Sequence, residues 1–311
     1  MKIQFFSNVA GTALLVGAIV AGSLIGHVSP ATGESLSSGI DPLILALVSL
    51  LFFEIRFSAI RKARENLRFL AVAWSANFLI IPVIGFAIAW LVLRDQPPFF
   101  LGLLIYFMAP CTDWFLGFTR MARGNTALGA ALIPVNLLSQ LLLYPIYLGL
   151  FARTATGTAV GSLFDTLLHW FLIPLAAASV AHLLLRRLLP TRGFEALLSL
   201  VGKAIPLVIA ALVLAIFAAH IGTILEHHRT FLLILAAVFV FFLLTYFLGE
   251  TLSKVFHFAH PEHALLTMTT AARNAPLMLG VTMAAFPDQP LIYAAIIIGM
   301  LVEFPHLTAL K

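Results

Sequence analysis

"YFMAPCTDWFLGFTRMARGN", Tyr106 to Asn125, lies inside a long apolar region, yet within four positions it carries a proline, the only cysteine of the chain and an aspartate. Pro110 has no amide proton and its ring clashes with the preceding turn, so a helix running through this stretch is interrupted there. In hydrocarbon each backbone group freed by a break costs several kcal/mol unless protein or a wet cavity takes it up. The fold therefore turns on what satisfies this broken backbone and why a charge stands beside it.

The surroundings are those of a membrane protein. The chain has 311 residues, of which 61% are hydrophobic and 10% charged, with a mean hydropathy of +1.06. Soluble domains carry roughly 25% charged residues. Apolar stretches near the roughly 18-residue length of a membrane span recur from end to end. They predict spans at about 5–26, 42–57, 69–93, 98–123, 126–151, 164–188, 199–221, 230–254, 262–286 and 289–310. The run after Met1-Lys2 is longer than a signal-peptide core and has no convincing cleavage site, so it reads as a retained first span. The fold class expected is an all-α polytopic membrane protein, with residues 1–311 forming one integral membrane domain.

Charge placement tests that count. Of the eighteen lysines and arginines, only Arg94, Arg153 and Arg229 fall in one set of loops, and Arg273 lies inside the ninth span. The other fourteen share the opposite side, which the positive-inside rule assigns to the cytoplasm, together with both termini. The net charge of +5 thus follows membrane topology, and no nucleic-acid partner is expected. The lipid bilayer is the expected surrounding, and a plasma (inner) membrane the expected location.

An internal repeat is also visible. "DPLILALVSLLF" from Asp41 resembles "IPLVIAALVLAIF" from Ile205, and "APCTDW…GN" matches "AARNAP…PD". The second match pairs Pro110 with Arg273 and Asn125 with Asp288, both at an offset of 163 residues. Five spans separate the copies, so the second is inverted in the membrane: a 5+5 inverted repeat, about 1–151 and 164–311, with spans four and nine broken. Paired broken helices near the midplane are where secondary transporters build their sites.

The polar residues of those spans are the candidate site. Asp113 and Arg273 are charges inside apolar segments, where ionised groups are costly and pair with each other, with backbone or with a substrate. Asp113 is the candidate for a proton-carrying group. Cys111 reads either as a small hydrophobe or as a soft ligand for a thiophilic solute, with Thr112 beside it. In "PVNLLSQLLLY", Asn136, Gln140 and Tyr144 are four apart and share one helix face, which packs inward. Asn77, Thr267, Thr269, Thr270 and Asn274 add hydrogen-bonding groups, and Glu303, before Phe304-Pro305, is the acid expected to be buried. "HFAHPEH", His257 to His263, reads as a solvated loop, as does His227-His228; no metal site is expected. Without Gly-x-Ser-x-Gly, a phosphate loop or a paired aspartate motif, neither an enzyme nor a cofactor is expected.

"APCTDWFLGFTRMARGNTALGAALIPVNLLSQLLLYP" and "TAARNAPLMLGVTMAAF" resemble the bile acid:sodium symporter superfamily, and within it the arsenical-resistance branch of arsenite efflux permeases. The resemblance implies ten helices in a panel and a core domain, with broken helices four and nine crossing in the core. It implies a cysteine after the first break at Cys111, an Asn and Gln pair at Asn136 and Gln140, and an acid-proline pattern at Glu303 and Pro305. Two departures stand out. Phe115 and Leu116 occupy positions where the sodium symporters have Ser-Asn, and Asn274-Ala275-Pro276 occupies that of an Asn-Phe-Glu run. The acid of the symporters' helix nine aligns near Thr269. Together these readings predict an ion-coupled secondary transporter exporting arsenite or a related metalloid, with a proton favoured over sodium as coupling ion. Uptake of a small organic anion held by Arg273 is the alternative; an intramembrane enzyme or a receptor is the remote one.

Overall fold

The computed structural model describes residues 2–54, 66–112, 114–155, 173–286 and 289–310. Among them thirteen helices follow one another. They are α1 (Lys2–Val28), α2 (Pro30–Ser37), α3 (Ile40–Phe53), α4 (Leu67–Leu93), α5 (Pro97–Met108), α6 (Phe115–Met121) and α7 (Thr126–Ala155). Then come α8 (Ile173–Leu188), α9 (Thr191–Glu226), α10 (His228–Val255), α11 (His260–Ala271), α12 (Ala275–Ala285) and α13 (Pro290–Ala309). The only β pairing among the described residues is one isolated antiparallel bridge, Pro110 to Arg273.

Within the described residues five helices are long and apolar enough to cross a bilayer, or six if α2 and α3, bent by 45°, form one span. The expected fourth and ninth spans are each split in two. At 1.5 Å per residue the 12 residues of α5 reach about 18 Å, short of the roughly 30 Å hydrocarbon core. The helix stops at Met108, two residues before Pro110, and resumes at Phe115. The ninth span stops at Ala271 and resumes at Ala275, with Pro276 in the first turn of α12, where the missing amide proton costs nothing. The short helix α2 falls where a loop was expected. It opens on Ser29-Pro30, and the Ser29 carbonyl accepts from the amides of Thr32 and Gly33.

Two compact units share the chain. One comprises Met1–Ile55, Gly161–His228 and Leu279–Tyr293; the other comprises Arg56–Val160, Arg229–Met278 and Ala294–Lys311. Each draws on both halves of the sequence. In the first unit α9 packs against α1, α2 and α3, and α8 against α3. There Gly22 and Gly26 bring α1 onto the backbone of α9, the close approach that small residues four apart permit. A Cβ on Gly26 would stand 2.1 Å from the Ala218 carbonyl oxygen.

The second unit contains both breaks. α4 changes to a π-helical turn at Ala76–Ile80. Pro82 offers no amide proton to the Phe78 carbonyl four residues before it, and the Tyr147 hydroxyl of α7 donates to that oxygen instead, at 2.5 Å. The wider turn carries Asn77, fully buried. An apolar cluster of Phe69, Phe115, Phe118, Leu132, Leu265 and Leu307 binds α4, α6, α7, α11 and α13.

Gly26→Val forces a branched side chain against a backbone carbonyl that cannot turn away. We expect a loss of about 1–3 kcal/mol, seen as a fall of several degrees in the Tm of the detergent-purified protein. Gly17→Ala, with nothing within 4 Å of the new Cβ, should leave the Tm unchanged or slightly raised.

Candidate functional site

The two breaks meet. The Cys111 amide donates to the Ala272 carbonyl at 3.0 Å, and the Asn274 amide donates to the Ala109 carbonyl at 2.8 Å. Residues 109–111 and 272–274 thus form a minimal antiparallel ladder, with Pro110 opposite Arg273, the pair that the repeat aligns.

That ladder takes its donors from the helices on either side. In an unbroken helix the Phe107 carbonyl would accept from the amide of Cys111, four residues on. The Thr269 and Thr270 carbonyls would accept from the amides of Arg273 and Asn274. All three amides are committed elsewhere: Cys111 to Ala272, Asn274 to Ala109, and Arg273 to the Glu303 carboxylate at 3.0 Å. The three carbonyls, at the negative ends of α5 and α11, need donors that the backbone no longer supplies.

Arg273 supplies them with its side chain. Its Nη1 donates to the Phe107 carbonyl at 3.0 Å, and Nη2 to the Thr270 carbonyl at 2.8 Å, the Thr269 carbonyl at 3.0 Å and Asn77 Oδ1 at 3.2 Å. The guanidinium carbon lies 5.7 Å from the centre of the Phe241 ring. The side chain is fully buried, and its charge faces two helix C-termini, where a cation is favoured. The charge inside the ninth span is therefore part of the repair of the break.

Glu303 is fully buried, as its sequence context predicts. One carboxylate oxygen accepts from the Arg273 amide and from Trp114 Nε1 at 2.8 Å; the other accepts from the Tyr106 hydroxyl at 3.1 Å. The Tyr106 hydroxyl also lies 2.9 Å from the Gly299 carbonyl, and a Cβ on Gly299 would sit 2.7 Å from its ring. The carboxylate thus ties α13 to both sides of the crossover. Sequence reading missed Tyr106 and Trp114, whose polar tips sit on aromatic bodies that merge into the apolar pattern.

The remaining candidates form two groups beside the ladder. Thr269 accepts at its hydroxyl from Asn77 Nδ2 at 3.2 Å and Asn136 Nδ2 at 3.5 Å. Thr112 accepts at its hydroxyl from Asn274 Nδ2 at 2.8 Å. Asn136, Gln140 and Asn274 are all buried, yet Asn136 Oδ1, both polar atoms of Gln140 and Asn274 Oδ1 have no hydrogen-bond partner among the described residues. Buried amides without partners cost about 1–3 kcal/mol apiece, so a fold that keeps Asn136 and Asn274 open at the crossover, and Gln140 one helical turn beyond Asn136, has groups to offer a polar solute. Cys111 is buried in the apolar cluster beside Phe115 and Phe118. Asp113 lies outside the described residues. His263 approaches Glu250 at 2.6 Å near the start of α11, and no three His, Cys, Asp or Glu gather as a metal site among the described residues.

Residues 42–227 match the Sodium Bile acid symporter family. The chain belongs to that family. Two curated relatives agree with it. The chain is 23% identical, over 86% of its own length and 76% of the relative's, to the arsenical-resistance protein Acr3 of Corynebacterium glutamicum. It is 24% identical, over 71% of its length and 66% of the relative's, to an uncharacterized sodium-dependent transporter, YocS, of Bacillus subtilis. The protein is a membrane transporter of this family, and the family consists of transporters rather than enzymes.

Glu303→Ala removes the shared acceptor of the Arg273 amide, Trp114 and Tyr106. We expect a loss of about 3–5 kcal/mol, the range for breaking a buried charged network, and a Tm fall that Glu303→Gln, which keeps one acceptor oxygen, only partly reproduces. Equal Tm values for Glu303→Ala and wild type would show that the carboxylate does not brace the crossover.

Proposed function

We propose that the protein exports arsenite, or a closely similar neutral metalloid hydroxide, from the cytoplasm. The observation that carries this reading is the contrast between the arginine and the amides. Both terminal nitrogens of Arg273 are spent on carbonyls and Asn77. Asn136, Gln140 and Asn274 keep unpartnered donors or acceptors in a buried setting. Arsenite at neutral pH is mostly an uncharged hydroxide, which needs hydrogen bonds and no counter-ion. A carboxylate or sulfonate would need a cation free to turn toward it, whereas both terminal nitrogens of Arg273 are anchored on oxygens of the crossover. Only Nε–H and the second Nη1 proton have no acceptor among the described residues. The organic-anion reading is therefore the weaker one.

In this proposal Thr112, Asn136, Gln140 and Asn274 hydrogen-bond the solute, and Thr269 orients Asn136. Cys111 is the soft ligand that trivalent arsenic meets in passing, one residue from the Thr112 hydroxyl. Arg273 and Glu303 hold the frame. Asp113 carries the coupling proton, in preference to a sodium ion. The chain crosses the plasma (inner) membrane ten times as a 5+5 inverted repeat with both termini cytoplasmic. Support comes from the meeting of two half-helix pairs at repeat-matched residues, and from two compact units that each draw on both halves. Alternating access, as in other secondary transporters built from repeats, would expose the site to either side of the membrane in turn. The name of the arsenical-resistance relative supports the choice of solute.

The test is retained arsenic in loaded cells that lack their own arsenite pumps. Expression should lower retention, and Gln140→Ala or Asn136→Ala should reduce the export rate at least about tenfold, the effect of 1.4 kcal/mol. Lower retention that Cys111→Ala abolishes assigns the thiol to the path; export that survives Cys111→Ala assigns that side chain to packing. Unchanged retention with expression confirmed would reject arsenite. Asp113→Asn should abolish acceleration of export by an inward proton gradient, and an unchanged pH dependence would remove Asp113 from the coupling step.

A further inference from the structure

Arg273 Nη2 sits among oxygens of the kind that also coordinate a monovalent metal cation. Three oxygens, from Thr269, Thr270 and Asn77, lie within 2.8–3.2 Å of that one nitrogen. The nitrogen carries two protons, so the acceptors outnumber the protons available. A fourth oxygen, from Phe107, lies 3.0 Å from Nη1. All three carbonyls are last-turn oxygens of α5 and α11, and both helices end at the ladder. Unwound carbonyls and half-helix C-termini that converge in a membrane core are what transporters use to hold a carried cation.

We propose that the Arg273 guanidinium is the resident cation of this crossover: it occupies a carbonyl cradle that would otherwise take a monovalent metal ion, so the transport cycle proceeds with no metal ion bound there. The charge that the two helix ends require is covalently tethered. It neither arrives with the solute nor leaves with it, and the crossover keeps its shape whichever side is open. The inference rests on the reading of the chain as a transporter and is independent of the solute proposed above.

The geometry has a consequence for variants. Removing the guanidinium while leaving the backbone in place uncovers an oxygen-lined site of net negative potential. Arg273→Ala therefore changes from a cation-indifferent protein into one that binds small cations. Arg273→Lys keeps a tethered charge and stays indifferent.

The experiment is thermal unfolding of the detergent-purified full chain at constant ionic strength. Choline is replaced stepwise by sodium or potassium, or millimolar guanidinium is added. Neither arsenite nor any other solute is present, so failure of the arsenite reading would not affect the result. The wild type and Arg273→Lys are expected to show the same Tm in choline, sodium and potassium. Arg273→Ala is expected to unfold at a lower temperature in choline and to recover about 3–8 °C, saturably, with sodium or guanidinium, as a bound ligand dictates. A wild-type Tm that rises saturably with sodium over choline would overturn the proposal. So would a folded Arg273→Ala protein indifferent to all of these cations. If Arg273→Ala cannot be purified, Arg273→Gln, which retains two donors without charge, takes its place with the same expected response, and the wild-type sodium titration remains decisive against the proposal.

Discussion

Residues 109–111 and 272–274 exchange amide hydrogen bonds where two interrupted helices cross, and the rest of the site follows from that exchange. Each bond that closes the ladder removes a donor from a helix end. The carbonyls of Phe107, Thr269 and Thr270 are left without their helical partners, in surroundings where an unmet carbonyl costs several kcal/mol. One arginine reaches all three. Its own amide then needs an acceptor outside the ladder, and Glu303 from α13 supplies it together with acceptors for Tyr106 and Trp114. A buried arginine and a buried glutamate, each expensive alone, are here both explained by a backbone break that has to be closed.

The polar groups that hold the crossover are distinct from those left over for a solute. Arg273, Glu303, Asn77, Tyr106 and the Thr269 hydroxyl have partners in the structure. Asn136, Gln140 and Asn274 retain buried atoms that do not. The division favours a neutral, hydrogen-bonding cargo, because both terminal nitrogens of Arg273 are already engaged and most of the buried groups still open near the crossover are amides.

Much of the frame was legible in the sequence, because the signals are properties of individual side chains. Pro110 marks the first break by its missing amide proton, and the repeat at 163 residues pairs it with Arg273, its partner in the bridge. The spacing of Asn136, Gln140 and Tyr144 places them on one inward face, and all three are buried. What Arg273 does was not legible. Its partners are backbone carbonyls, which every residue carries, and sequence does not reveal which of them lose their donors. The π-helical turn that carries Asn77 escaped for a similar reason: beside it the Phe78 carbonyl, left without a donor by Pro82, is taken by Tyr147, 69 residues further along the chain. Helix α2 was missed because its eight residues, mostly small or polar with a single leucine, carry no apolar period, and only Ser29-Pro30 announces its start.

The central claim is that the crossover presents a site for an uncharged polar solute, its one arginine being already committed. Isothermal titration of the purified protein with arsenite and, separately, with small carboxylates and sulfonates at neutral pH tests it most directly. The account predicts saturable heat with arsenite, its loss in the Gln140→Leu protein, and no displacement by the organic anions. Saturable binding of an organic anion that is lost with Arg273→Lys, alongside no heat from arsenite, would contradict it.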